Sequence, residues 1–328
     1  MAKAYDDRTC RLLSAAELAY DIDASGNLTG FNQKVYDRVG FVETPQSFTA
    51  GEDDINAVLV GKNRADGVIV AYRGTLAPDF KGKTEAQDLR ILLDWIDDLF
   101  VQPISAPGLE GKVDENFFGA VESLWPQVTA AVKELGGGSA PVFVTGHSKG
   151  GPMASIASAL LAKSEGITPQ GVFLFASPRP GDATFASFYE GLIPKTVRYE
   201  YQDDLVPHLP PTEDFAKLLA DLPLMGKVFA EFAKWNFVPV GNLFFIDWQN
   251  QVVDVAQLSR LRQIELEIER TTNLAKLMLE GKFTVIGDDH ALAGGYCNAL
   301  CGSGASGPNC RLRDPHPRPL SPWERGRG

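Results

Sequence analysis

The pentapeptide GHSKG at 146–150, with Ser148 at its centre, fits the pattern G-x-S-x-G. It follows the apolar run PVFVT and opens the run GGPMASIASALLA, so the motif stands at a strand-to-helix turn. The flanking glycines remove the side chains that would clash in so sharp a turn. A helix N-terminus also favours the negative charge that develops during acyl transfer. This setting predicts a nucleophilic serine; a glycine-rich turn with an inert serine is the competing interpretation.

A serine nucleophile needs a base, and the base needs an orienting acid. The chain has four histidines. His147 lies beside the serine, where its side chain is expected to point away from the hydroxyl, and His316 lies in a segment rich in Pro and Arg. His208 follows closely on an acidic pair, and His290 comes late, in IGDDHALAGGY. His290 can therefore serve as the base for the serine hydroxyl, whereas His147 is not expected to contact it.

The chain order serine, acid, histidine is typical of α/β hydrolases. Ser148, Asp204 and His290 satisfy that order. We therefore interpret them as nucleophile, acid and general base. For His290, a solvated loop histidine is the competing interpretation.

Short apolar strands alternate with helices around this motif, which predicts an α/β fold with a central, mostly parallel sheet covered by helices on both faces. The predicted strands are 55–60, 68–72, 141–145, 171–176, 197–201 and 242–246. The predicted helices are 9–20, 117–135, 149–163, 214–235 and 253–279. Residues 75–95 read as a polar surface loop carrying a short helix. We predict a single α/β-hydrolase domain over 1–310 and a disordered Pro/Arg-rich tail over 311–328.

The 328 residues carry a formal net charge of -11. No broad basic field is available to neutralise phosphates, which argues against a nucleic-acid partner. No apolar run is long enough for a transmembrane segment. Residues 1–21 lack the pattern of a signal peptide, which leaves the location open between the cytoplasm and export by a non-standard route, and a mature exported protein would look the same. The motifs imply neither a metal nor an organic cofactor.

The four cysteines are Cys10, Cys297, Cys301 and Cys310. They lack the paired spacing and histidine partners of a zinc site. We expect free thiols in a reducing compartment. The alternative is a bridge from Cys10 to one of the C-terminal cysteines, which would close a very long loop.

Four ordered segments resemble the class 3 lipases, a family that includes fungal triacylglycerol lipases and feruloyl esterases. They are VIVAYRGT with the later DWIDDL, then VTGHSKGG, FLFASPRPGD and YQDDLVPHLPP, and a late histidine closes the series. The resemblance covers 68–296. It implies an α/β-hydrolase fold and lipase or esterase activity.

The resemblance also implies a role for each matching residue. Ser148 becomes the nucleophile and His290 the base. Asp204 is preferred to Asp203 as the acid, because the family's acid precedes an aliphatic-Val-Pro sequence, here LVP. The oxyanion hole would use Thr75 and the backbone amide of Lys149.

Several features depart from the family or stay open under the resemblance. Lys149 replaces the more usual apolar residue after the serine. Arg73 is expected to form an ion pair with an acid in DWIDD such as Asp98, and binding of a substrate carboxylate is the competing interpretation. A disulfide that many secreted fungal members carry would correspond to Cys10 with Cys301.

Two segments beside the predicted site bear on substrate choice. Residues 76–94 occupy the place of the family's lid, with Trp95 near the hinge, and their polarity indicates a small apolar face. We therefore expect weak interfacial activation and a preference for short or medium acyl chains. The long stretch between Asp204 and His290 is expected to add cap structure beside the site.

The predicted function is carboxylic-ester hydrolysis through an acyl-enzyme intermediate, on acylglycerol or other lipid-like esters. It implies transient contact with a lipid interface. Two alternatives stay open: a phospholipase, for instance a membrane-targeting effector, and a catalytically idle hydrolase fold that serves as a binding module. The complete set of serine, histidine and aspartate weighs against the idle fold, since binding alone does not need all three.

Overall fold

The computed structural model describes residues 7–75, 85–222 and 225–301. The predicted tail at 311–328 lies outside the described residues, as do residues 76–84 of the predicted lid. The predicted end of the domain at residue 310 also lies beyond them, and it stays a prediction.

The strands of the described ranges form two sheets. In chain order they are β1 Gln46–Ala50, β2 Asn56–Asn63, β3 Gly67–Tyr72, β4 Pro103–Ile104, β5 Val113–Asp114, β6 Val142–His147, β7 Gly171–Phe175, β8 Gly181–Asp182, β9 Thr196–Tyr201, β10 Phe237–Val238, β11 Asn242–Ile246 and β12 Val252–Asp254. The larger sheet has eight strands in the order β1-β2-β3-β6-β7-β9-β11-β12. The smaller sheet pairs the two-residue strands in the order β10-β8-β5-β4.

The larger sheet is parallel through its centre and antiparallel at its edges. Strands β3, β6, β7, β9 and β11 pair in parallel. Strands β1 and β2 on one side and β12 on the other are antiparallel additions. The carboxyl ends of the parallel strands meet at one edge of the sheet, where open α/β sheets place their sites. The predicted fold class is confirmed.

The helices are α1 Asp7–Leu18, α2 Gln33–Val39, α3 Glu85–Leu99, α4 Glu115–Glu134, α5 Gly150–Ser164, α6 Ala183–Leu192, α7 Glu213–Leu218, α8 Met225–Ala233, α9 Arg260–Leu279, α10 Phe283–His290 and α11 Cys297–Cys301. They cover both faces of the sheet. Because side chains of a strand alternate between faces, Val68, Val70 and Tyr72 of β3 join the cluster that contains α4 and α5. Ile69 and Ala71 face α1 and α2 on the other side. All five are fully buried.

Three predicted elements differ from the observed ones. The helix predicted at 214–235 is two helices, α7 and α8, and the sequence between them contains Pro223, which lacks the amide hydrogen of a helical bond. The helix predicted at 253–279 begins only at Arg260, because its first residues pair as β12. The short helix predicted within 75–95 is α3, which continues to Leu99.

A disulfide joins Cys10 of α1 to Cys301 of α11, 291 residues apart in sequence. Cys297 is disulfide-bonded as well. The expectation of free thiols is therefore wrong for these cysteines. The bond holds the first and last described helices together on one face of the sheet, where α1 packs against α11. None of the helices in the described ranges is both long and apolar enough to span a bilayer.

Candidate active site

The turn between β6 and α5 holds Ser148 in a left-handed backbone conformation, with φ of 56°. A β-carbon added to Gly146 would collide with the carbonyl group of Gly150, and one added to Gly150 would collide with that of Tyr72. Both glycines are therefore needed for the close approach of strand and helix. The serine amide donates a hydrogen bond to the carbonyl of Phe175 on β7 (3.0 Å), which fixes the turn against the sheet.

Three predicted site residues lie in one hydrogen-bonded row. His290 Nε2 is 3.0 Å from Ser148 Oγ, and His290 Nδ1 is 3.0 and 3.1 Å from the two carboxylate oxygens of Asp204. The serine follows β6, the aspartate follows β9, and the histidine is the last residue of α10. All three are at most 3% exposed.

Asp204 is held by more than the histidine. Tyr296 donates its hydroxyl hydrogen to Asp204 Oδ2 (2.8 Å), and the amide of Val206 donates to Oδ1 (3.0 Å). Burial, with Asp204 beside it, raises the pKa of Tyr296 well above its usual range, so this hydroxyl stays protonated. Asp203, the rejected alternative, instead accepts a hydrogen bond from the indole of Trp248 (2.9 Å).

The side chain of His147 points away from Ser148 and fixes the neighbouring histidine. Its Nε2 is 2.9 Å from the carbonyl oxygen of His290, and its Nδ1 is 2.7 Å from the hydroxyl of Tyr20. A carbonyl oxygen only accepts, so Nε2 carries the hydrogen and Nδ1 accepts from the tyrosine. The two imidazole rings stack with centroids 4.8 Å apart. Burial, and then the nearby His290, hold the pKa of His147 well below its usual range.

The loop that follows β3 packs against the nucleophile. A β-carbon on Gly74 would come within 2.8 Å of Ser148 Cβ, so this glycine allows the loop to reach the serine. Thr75 follows directly and is partly exposed. Arg73 donates to the carbonyl oxygens of Ile22 (2.8 Å) and Ile55 (2.6 Å). The predicted ion pair of Arg73 with Asp98 is therefore wrong, because the guanidinium donates to backbone carbonyl groups instead.

Lys149, whose amide was predicted for the oxyanion hole, occupies the N-cap position of α5. Its amide thus lies at the start of the helix that follows the serine, where backbone N–H groups have no intrahelical partner. The side chain is buried and points into the protein, away from solvent.

Helix α3 covers the site. The rings of Trp95 and His290 meet edge to face with centroids 5.6 Å apart, and α3 packs against α10. Leu92, Leu93 and Ile96 are buried together with the tryptophan. Leu92 and Leu93 belong to the small apolar face predicted for the lid, and α3 continues past residue 94 with further buried side chains. Ser148 is itself fully buried.

Beside the site, the segment between Asp204 and His290 adds both cap and sheet. Helices α7, α8 and α9 form a helical cap, whereas β11 and β12 extend the central sheet. Arg270 of α9 forms a buried ion pair with Glu200 of β9 and contacts the ring of His208. His208 thus belongs to the anchoring of the cap and is absent from the serine's hydrogen-bonded row. Among the described residues, no group of His, Cys, Asp and Glu side chains is arranged to hold a metal ion.

Sequence reasoning missed Tyr296, Tyr20 and the contact of Trp95 with the histidine. Each of these residues contacts the site only through tertiary packing, and none lies in a local sequence motif that would indicate its role.

The sheet order and its flanking helices are those of the α/β-hydrolase fold. The family described as Lipase (class 3) matches residues 69–214, from β3 to α7. That segment contains the loop after β3, the GHSKG turn and the acid, and His290 lies beyond it. Residues 69–214 are thus similar to the class 3 lipase family, and the resemblance predicted from the sequence is confirmed.

Curated relatives match parts of the chain. A lipase of Rhizomucor miehei is 29% identical over 166 residues, which are 48% of this chain and 41% of the relative. A lipase of Caenorhabditis elegans is 32% identical over 148 residues, 44% of this chain and 38% of the relative. A secreted mono- and diacylglycerol lipase of Fusarium solani is 38% identical over 93 residues, 26% and 27% of the two chains. The chain thus matches less than half the length of each of these relatives.

Solved structures share the fold over most of the chain. The triacylglyceride lipase of Rhizomucor miehei superposes with a TM-score of 0.53 at 21% identity, covering 75% of this chain and 82% of that one. Lipase II from Rhizopus niveus superposes with a TM-score of 0.53 at 21% identity, covering 73% and 79%. At this identity the likeness concerns the fold.

The depressed pKa of His147 predicts a pH dependence of stability. Below about pH 6.5 the unfolded chain takes up a proton at His147 that the folded protein does not bind. The free energy of unfolding therefore decreases as the pH is lowered, by up to about 1.4 kcal/mol per pH unit. The variant His147→Gln should show a shallower fall, by about one proton's worth. Urea unfolding of both proteins between pH 7.5 and pH 5 measures the two slopes. Equal slopes would mean that the imidazole is protonated in the folded state.

Proposed function

We propose that this protein is a carboxylic-ester hydrolase, a lipase that acts on acylglycerols or similar lipid esters. The observation that carries the proposal is the row of hydrogen bonds from Ser148 through His290 to Asp204. A serine hydroxyl is a weak nucleophile unless a base removes its proton, and this row supplies a base oriented by an acid. Lipases that match parts of the chain support the substrate class.

In the proposed reaction, Ser148 Oγ attacks the ester carbonyl while His290 Nε2 takes the hydroxyl proton. Asp204 stabilises the imidazolium that forms and holds the ring in the required tautomer. Collapse of the tetrahedral intermediate breaks the ester C–O bond, and the imidazolium returns its proton to the leaving alcohol. Water then attacks the acyl-enzyme with His290 again as base, and this step releases the acid and frees the serine.

The tetrahedral intermediate carries a negative oxygen that needs donors. We assign these to the backbone amide of Lys149 and to Thr75. The position of Lys149 at the start of α5 supports the first assignment, because its amide has no intrahelical partner there. The packing of Gly74 against the serine supports the second.

Entry of a substrate requires movement of α3, since the serine is fully buried. The side chains that would be uncovered on α3 are apolar, and a lipid surface would replace the contacts that they lose. A lipid interface should therefore favour the open position of α3 and raise the activity.

Variants of the row test the function. Ser148→Ala and His290→Ala should each lower turnover of a p-nitrophenyl ester by about three to six orders of magnitude, because the members of such a row act as a unit. Circular dichroism and melting curves should stay close to those of the unaltered protein.

The matched pair Asp204→Asn and Asp203→Asn identifies the acid. We expect the first to cost far more turnover than the second, because only Asp204 contacts the imidazole. If Asp203→Asn is the more damaging change, the assignment is wrong. An unaltered protein that hydrolyses no ester in a panel of chain lengths would leave the idle binding module as the better account.

The buried face of α3 favours a stronger interfacial activation than the weak effect expected from the sequence. Opening uncovers side chains such as Leu93, at about 25 cal/mol per Å² of apolar area, unless an oil surface covers them. The rate on a short-chain triglyceride should therefore jump as its concentration crosses the solubility limit. Leu93→Ser weakens the closed state and should shrink the jump. A smooth saturation curve through the limit would show that opening of α3 does not need an interface.

A further inference from the structure

Lys149, the residue that follows the nucleophile in the chain, carries a buried ammonium group. The residue is 6% exposed, and it takes part in no ion pair within the described ranges. Its Nζ donates instead to two amide oxygens, Asn116 Oδ1 at 2.9 Å and Asn56 Oδ1 at 3.3 Å. Burying a cation is costly unless hydrogen bonds compensate, so these two asparagines define where the ammonium is held.

Asn116 links that ammonium to the base of α3. Its Nδ2 donates to the carbonyl oxygens of Asp98 (3.0 Å) and Leu99 (3.1 Å), in the last turn of the covering helix. Carbonyl groups there have no intrahelical partner, and the helix dipole favours positive charge at this end. A single asparagine thus accepts from the lysine and donates to α3.

Asn56 links the ammonium to the loop that follows β3. The residues on either side of this asparagine bind the loop: Arg73 donates its Nη2 hydrogen to the carbonyl of Ile55 (2.6 Å) and its amide hydrogen to the carbonyl of Ala57 (3.0 Å). Gly74 comes next and packs on the nucleophile. The ammonium is therefore bonded to the same strand end that positions the loop.

We propose that Lys149 is a positioning residue that ties both oxyanion donors, its own amide and the loop 73–75, to the base of α3. This role rests on the proposed ester hydrolysis. With the last turn of α3 held through Asn116, the helix opens by moving its other end and carries Trp95 away from the histidine. The donors keep their places while the cover moves, so an open protein is also a competent one.

The charges that face the ammonium make the tie sensitive to pH. Burial lowers the pKa of Lys149 to about 8, the carboxylate of Asp114 opposes that shift, and the guanidinium of Arg73 adds to it. Burial also raises the pKa of Asp114 to about 6, so this group is already ionised where the lysine titrates. As the pH rises through about 8, Lys149 loses its charge. Charge-assisted hydrogen bonds are roughly twice as strong as neutral ones, so the tie then weakens.

Kinetics on soluble p-nitrophenyl butyrate test the tie. We expect Lys149→Met and Asn116→Leu each to lower kcat by about 10-fold or more with KM within about twofold, because a displaced oxyanion donor affects the transition state. The double variant should be no slower than the worse single variant, since both changes break the same tie. The exposed Lys163→Met on the same helix is the matched control and should leave kcat unchanged.

The pH profile separates positioning from mere structural support. In the unaltered protein kcat should fall a few-fold on the alkaline side, with a midpoint near pH 8, and in Lys149→Met that limb should be absent. A normal kcat in Lys149→Met, a loss confined to KM, or multiplicative losses in the double variant would overturn the proposal.

Hydrogen exchange gives a readout that needs no ester turnover. Amides at 96–101 should exchange about 10-fold faster or more in Asn116→Leu and in Lys149→Met, while those of α5 keep their protection. Should one variant fail to fold, the other carries the same test. Unchanged exchange at 96–101 would refute the tie. Faster exchange in a protein without ester hydrolysis would instead mean that the tie exists and the proposed function has failed.

Discussion

The backbone turn at Ser148 is the constraint on which the other features of the site depend. A non-glycine residue with φ of 56° is strained, and it persists only where its surroundings hold it. Here the two glycines of the motif allow β6 and α5 to approach, and the sheet accepts the serine amide at Phe175. This turn places the hydroxyl at the edge of the sheet where the parallel strands end. The acid and the loop 73–75 also follow strands that end at this edge.

Burial of the site strengthens its hydrogen bonds and also makes every unpaired polar group there costly. Hydrogen bonds are stronger in a dry interior, and an unpaired polar group is correspondingly expensive there. Asp204 therefore has Tyr296 and a backbone amide as well as the imidazole, and His290 has its carbonyl fixed by His147. The same burial closes the serine to substrate. Helix α3 thus protects the site and must also move before a substrate can enter. The buried ammonium of Lys149 is linked to the end of this helix through Asn116.

Local patterns made much of this predictable from sequence. The glycine spacing around Ser148 encodes the turn, and the chain order of serine, acid and histidine selected residues that the structure places in hydrogen-bonding contact. Contacts between remote residues were less accessible. Arg73 was assigned to a carboxylate because a charge suggests an opposite charge, yet it serves carbonyl groups. Tyr296 belongs to no motif, and the polar stretch at 76–94 does not indicate that α3 continues to Leu99 with further buried side chains.

Covalent labelling tests the central claim, that the strained turn and its hydrogen-bonded row make Ser148 an acyl nucleophile. The protein would be treated with an alkyl fluorophosphonate in the presence of detergent micelles, and the modified peptide located by mass spectrometry. The account predicts one adduct, on Ser148, formed at least about 100-fold more slowly in His290→Ala because the base is gone. An adduct on another residue, or equal labelling rates in the two proteins, would contradict it.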